Sequence, residues 1–305
     1  MRSNCKNFSL SPCQFLRPVL GIILVLGLLL WSCGEKTDHS FDFTEEGLFT
    51  PGIEGPAVDS KGNLYAVNFE KEGTIGIVDS EGNPSLFAEL PDGSIGNGIR
   101  FDGRDNMYVA DYVNHNVLLL PAGTNDVQVF AHDPRLSQPN DLAISPTGIL
   151  FASDPNWEKG TGQLWRVDKA GFHLLEEAMG TTNGIEVSPD SKHLYVNESV
   201  QRRIWRYNLD SDGNVSGKTL FYQFDDHGLD GMRCDQKGNL YVCRYDAGKV
   251  LVLSPEGTIV REVTLKGKKP SNITFGGKDG KQCFVTLADR GCFESFYAEF
   301  PGRDR

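Results

Sequence analysis

Residues 182–196 read TNGIEVSPDSKHLYV. Apolar Ile185 and Val187 alternate with polar neighbours, Ser188–Lys192 is rich in turn formers, and Leu194-Tyr195-Val196 resumes the apolar run. Short alternating runs on either side of such a turn predict a β-hairpin. The same unit occurs six times, starting at Glu54, Asn97, Asn140, Asn183, Asp230 and Asn272, with spacings of 43, 43, 43, 47 and 42 residues. An aromatic follows each start by 11 or 12 residues: Tyr65, Tyr108, Phe151, Tyr195, Tyr241 and Phe284. Repeats of this length, built from paired short strands and glycine turns, predict an all-β six-bladed β-propeller. No stretch between strands keeps a helical stripe, which excludes a two-domain α/β arrangement.

Each blade needs about four strands. Repeat one supplies them at 57–59, 64–67, 74–78 and 84–88, whereas repeat six stops after Phe293–Phe300, one strand short. The alternating Phe41 and Phe43 are the expected missing strand, so residues 34–50 form a tether and closing strand and residues 51–300 the propeller. Joining both ends of the sequence in one blade removes free sheet edges.

Residues 1–33 read as an address. Arg2, Lys6 and Arg17 are followed by an apolar run of 13 residues, Val19–Trp31, too short for a comfortable membrane span. It ends in Leu30-Trp31-Ser32-Cys33-Gly34, which resembles a bacterial lipobox, with Cys33 as the lipidated residue. An ordinary cleaved signal or an uncleaved anchor is the alternative. The expected localisation is export, with a membrane-anchored lipoprotein facing the periplasm or cell surface. The formal net charge of −11 becomes three units more negative without residues 1–32. No basic stripe interleaved with aromatics is present, which argues against a nucleic-acid partner. Cys234, Cys243, Cys283 and Cys292 lie in or beside predicted strands, without a zinc-ligand spacing. Four buried free thiols are expected, with a cross-blade disulfide as the alternative.

The first strand of each blade lines the central channel, so the six starting residues form a ring at one mouth. All six carry a side-chain oxygen and none is apolar or basic. Two carboxylates among neutral amides suit a hard divalent cation such as Ca2+. Asn97-Gly98, Asn183-Gly184 and Asp230-Gly231 also fit simple turns, but Glu54 does not. The second strand returns to the same mouth one ring farther out, at Asn68, Asp111, Asp154, Asn197 with Glu198, Arg244, and Thr286 with Leu287. Of these, Asp111, Asp154 and Arg244 are candidates for touching a polar substrate or orienting metal ligands. His115 and His227 read as surface histidines near that face. No P-loop or G-x-S-x-G motif occurs, and no Ser–His–Asp triad has spacing support.

The segments IEGPAVDSKGNLYAV, SQPNDLAISPTGILFASDP, TNGIEVSPDSKHLYV, LDGMRCDQKGNLYVC and SNITFGGKDGKQCFVT resemble the senescence marker protein (regucalcin)/gluconolactonase family over about residues 51–288. The resemblance implies a six-bladed propeller with one divalent metal, usually calcium-type, with Zn2+, Mn2+ or Mg2+ as other candidates. It places the metal ligands at Glu54, Asn183 and Asp230, and the proton donor/acceptor at Asp230. Asn140 then contacts substrate or metal-bound water; Asn97 of the inner ring and Asp154, Asp111 and Arg244 of the outer ring, placed by counting alone, are the other expected substrate contacts. Gln138 stands where some members carry an arginine that contacts the sugar. The expected activity is hydrolysis of a lactone or related ester, on a sugar-acid-like substrate. The competing class is a non-enzymatic calcium-binding or NHL-like propeller scaffold of the cell envelope.

Overall fold

The computed structural model describes residues 37–91 and 93–304, so Cys33 and the leader lie outside the described residues. Six sheets follow one another in chain order, each antiparallel within its repeat. Their innermost strands are Phe49–Val58, Gly96–Phe101, Leu142–Ile144, Thr182–Val187, Met232–Cys234 and Pro270–Gly276. This is the six-bladed propeller read from the repeat. The inner strand of blade one is longer than expected, and those of blades three and five begin two residues after Asn140 and Asp230.

The recurring aromatic works between blades as well as within them. Tyr65 of blade one meets Phe101 of blade two with ring centroids 5.3 Å apart, and Tyr241 of blade five meets Phe275 of blade six at 5.0 Å. Such pairs contribute about 0.5–1.5 kcal/mol beyond their area burial. Around them, one blade's Val67 and Ile75 pack with the next blade's Ile99, Val109 and Leu118. Cys234, Cys243, Cys283 and Cys292 are buried free thiols.

Phe41–Asp42 closes the ring as the fourth strand of blade six, with Phe41 opposite Ser295 and Asp42 opposite Glu294. Phe43 packs edge-on against Phe284 at 4.6 Å. The fully buried Glu294 accepts hydrogen bonds from Ser40 Oγ at 2.5 Å, Lys266 N at 2.9 Å and Gly267 N at 2.8 Å. Arg290 binds Glu294, Asp42 and Glu46 together, which ties the closing strand to its partner by charge. A further strand, Thr37–His39, pairs parallel to Ile259–Thr264 and adds a fifth strand to blade five. The sequence Thr-Asp-His offers no apolar alternation to announce it. Residues 37–42 therefore staple two adjacent blades.

Deleting residues 37–42 will expose the edge of blade six and leave Glu294 without its Ser40 partner. We expect aggregation or loss of a cooperative melt; a soluble variant that melts like the parent would refute this role.

Candidate metal centre and active site

At the mouth where the inner strands begin, Glu54 is buried and accepts from Gly55 N at 2.7 Å and from Asn272 Nδ2 at 2.9 Å. The carboxyl of Asp230 lies close enough to Glu54 and to the Asn183 side chain for both to act on its charge. Three residues from blades one, four and five thus meet at one point. Asn140 Oδ1 and Asn183 Oδ1 are buried acceptors without a hydrogen-bond partner. Leaving a buried acceptor unpaired costs about 1–3 kcal/mol, and carbonyl oxygens of this kind are ligands for hard cations. Among the described residues no three His, Cys, Asp or Glu side chains cluster as a metal group. The donor set is two carboxylates plus amide oxygens, which suits an oxygen-seeking divalent ion and not a thiolate- or imidazole-bound one.

The glycines after the ring residues serve close approach between blades. A Cβ on Gly55 would lie 2.1 Å from Asn97 O, on Gly98 2.5 Å from Asp141 Oδ1, on Gly184 2.3 Å from Asp230 O, and on Gly231 2.0 Å from the Asn272 side chain. Each glycine makes room for the corresponding segment of the following blade, which draws the ring tight. The Asx-Gly pairs read as possible turns are packing contacts at the channel.

The other predicted residues have distinct surroundings. Asn97 is half-buried at the start of its strand. Asn272 donates to Glu54 and spends its own oxygen on Ile273 N at 2.9 Å, so it orients the Glu54 carboxylate. Asp154 is buried and accepts from Ser137 N, Gln138 N and Trp165 Nε1, which fixes the loop leading to Asn140. Burial pushes its carboxyl up, and those donors partly offset the effect. Asp111 accepts from Ser94 Oγ, Asn114 N and Asn116 Nδ2. Arg244 donates to Asp226 at 2.7 Å and lies over the Phe224 ring. Beside the mouth, a cavity of about 570 Å3 is lined by His115, Gln138, Asn156, Trp157 and Glu158 among others.

A second, deeper layer of charge was missed in the sequence. Arg100, Asp141, Glu186 and Arg233 come from blades two to five and are all buried. Arg100, Glu186 and Arg233 each fall three residues after a ring residue. Register breaks around Asn97 and Asn183 mark bulges, which shift the alternation and let positions three apart face the same way. Charges interrupting an otherwise apolar inner strand were the available signal.

Burial, followed by the neighbouring Asp141 charge, pushes the Glu54 carboxyl up to about 7. Burial, followed by the Glu54 charge, pushes Asp230 well above its ordinary range. Between pH 4.5 and 7 the metal-free folded protein therefore binds more protons than the unfolded chain, and its stability falls as pH rises through that window. A divalent cation bound there would replace those protons. The melting temperature of EDTA-treated protein should drop between pH 5.5 and 8, and added Ca2+ should raise it more at pH 8 than at 5.5. A flat metal-free profile would contradict this account of the pair.

Residues 52–289 match the family described as SMP-30/Gluconolactonase/LRE-like region. The gluconolactonase of Zymomonas mobilis is 29% identical over 218 residues, 63% of this chain and 60% of that protein. The 6-deoxy-6-sulfogluconolactonase of Pseudomonas putida is 30% identical over 171 residues, 53% of this chain and 58% of that protein. The matched segments thus span about three-fifths of these curated relatives. Among solved structures, a calcium-binding protein, regucalcin, from Agrobacterium tumefaciens superposes with a TM-score of 0.75 at 20% identity, covering 88% of this chain and 97% of that one. The fold, the repeat and the matched residues together establish that this chain belongs to the SMP-30/gluconolactonase/LRE-like family.

Proposed function

We propose that the protein is a divalent-metal-dependent hydrolase of a sugar lactone or related ester, acting at the channel mouth. The observation that carries this reading is the meeting of Glu54, Asp230 and Asn183, beside unpaired amide oxygens, in a chain whose matched relatives are named as lactonases. Glu54, Asn183 and Asp230 are the proposed ligands, with Ca2+ as the first candidate and Zn2+, Mn2+ and Mg2+ as alternatives. A cation bound there supplies Lewis-acid polarisation of the lactone carbonyl and stabilises developing negative charge.

The residues of the chain supply placement and proton transfer. Water adds to the lactone carbonyl carbon and gives up a proton, the bond from that carbon to the ring oxygen breaks, and the ring oxygen takes a proton. The product is the open hydroxy acid. We assign the proton shuttle to Asp230, since Asp154 and Asp111 already accept several structural hydrogen bonds. Asn140 is the proposed substrate contact. Polar Gln138, Asn156 and Glu158 with the exposed Trp157 offer a sugar acid both hydrogen bonds and an aromatic face. The leader sequence supports a further proposal, that the protein is exported and held at a membrane by lipid on Cys33. Loss of membrane association in Cys33→Ala would support that anchor, and its retention would refute it.

A pH-stat screen of aldonolactones and simple lactones, with and without EDTA, tests the activity. We expect acid release that EDTA abolishes and a divalent cation restores. Asp230→Asn should lower kcat by at least about 100-fold and weaken metal binding together. Full metal-dependent turnover in that variant would sink the assignment. Metal uptake without hydrolysis of any lactone would favour the binding-scaffold reading.

A further inference from the structure

Beneath the metal ligands the channel is crossed by the deeper charged layer. Arg100, Asp141, Glu186 and Arg233 have side chains only 5%, 1%, 1% and 8% exposed. Arg100 Nη1 is 3.1 Å from Asp141 Oδ1. Arg233 stands between two carboxylates, 3.5 Å from Asp141 and 4.0 Å from Glu186. One cation is thus shared between two buried anions.

The segment after the last strand reaches this layer from the opposite mouth, where a cavity of about 1520 Å3 is rimmed by the hairpin turns. Pro301 O accepts from Gln236 N, Gly302 bridges to Asp235, and Arg303 N donates to Cys234 O. These contacts anchor the segment along blade five. The Arg303 side chain, 3% exposed, then turns into the channel. It donates to Val187 O at 2.8 Å and Ile144 O at 2.9 Å, and its Nη1 lies 2.7 Å from Glu186 Oε1. Asp304 holds the outer side of the same guanidinium, with its own side chain 56% exposed.

We infer that Arg303 is a positioning residue for the metal centre: by neutralising Glu186 it leaves Arg233 on Asp141, and so sets how much negative charge the cation site meets. The inference rests on the metal reading proposed above. Arg303 is far from the reacting atoms and acts through a chain of charges, Arg303 to Glu186 to Arg233 to Asp141. The last link is direct: Asp141 adjoins the ring residue Asn140 in the sequence, and its charge bears on both Glu54 and Asp230. Without Arg303, Glu186 is a buried anion whose remaining cations are Arg100 and Arg233, of which Arg233 is already its ion-pair partner at 4.0 Å. Arg233 then moves toward Glu186, Asp141 keeps only Arg100, and the site becomes more attractive to a divalent cation. Without Glu186, both Arg303 and Arg233 retain their charge, and the site becomes less attractive.

The test is Ca2+ affinity by calorimetry on the full chain at pH 7.5, with the melting temperature of the EDTA-treated protein measured alongside. Arg303→Gln should bind Ca2+ about threefold more tightly and Glu186→Gln about threefold more weakly, although both melt lower than the parent. The double variant should return close to the parent affinity. A merely structural role predicts weaker binding in both variants, in step with stability. Shifts of the same sign, or none, overturn the inference; if Arg303→Gln does not fold, unchanged or tighter binding in Glu186→Gln alone does so. A parent protein that takes up none of Ca2+, Mg2+, Mn2+ and Zn2+ overturns the metal reading and this inference with it, whereas uptake with unshifted variants overturns this inference alone.

Discussion

Two carboxyl groups held close together within a desolvated channel are the constraint on which this architecture turns. Glu54 and Asp230 come from blades one and five, 176 positions apart in the sequence; burial and the Asp141 charge drive Glu54 toward the protonated state, and burial and the Glu54 charge drive Asp230 there. Charged together without a counter-ion they would repel at short range in a poorly screened medium. They stay together because a rigid ring leaves them nowhere to go. Asn272 and the Gly55 amide grip Glu54, and glycines beside the ring residues allow the inner strands to approach closely. A cation bound there would relieve the repulsion and satisfy the nearby carbonyl oxygens in one event.

The distribution of satisfied and unsatisfied polar groups separates framework from function. Asp154 and Asp111 look equivalent to Asp230 in the sequence, as acids near the same mouth. In the fold each is surrounded by backbone and side-chain donors and acts as the anchor of a loop. Asn183 and Asn140 keep their oxygens free of protein partners although both oxygens are buried. The difference is not residue type but local supply of N–H groups. Below them, the arginines and acids of the deeper layer give the channel a polar floor, so the centre is not backed by an apolar plug.

Much of this was legible because a repeat of about 43 residues fixes architecture before any single strand is placed. The ring residues, the recurring aromatic and the closing role of Phe41 follow from register alone. What was hidden has a common cause. Bulges at the ring positions break strict alternation, so Glu186 reads as one more polar neighbour of Ile185 and Val187 although it lines the channel. Arg303 was invisible because it lies beyond the last repeat and gains its meaning only through contact with blades three to five. The parallel strand at Thr37–His39 is held by backbone pairing, which needs no side-chain pattern.

The staple formed by residues 37–42 also has a bearing on the order of events in folding. Ser40 and Glu294 are partners 254 residues apart. Bringing ends that distant together in a flexible chain costs about 5 kcal/mol of loop-closure entropy, before the constant that accompanies it. Blades one to five can nucleate from local hairpins as the polypeptide emerges, but the sixth waits for the strand that precedes blade one to return. Until then that segment is an unpaired strand beside an unpaired edge, and the interval before closure is when the nascent molecule is most exposed to pairing with a neighbour.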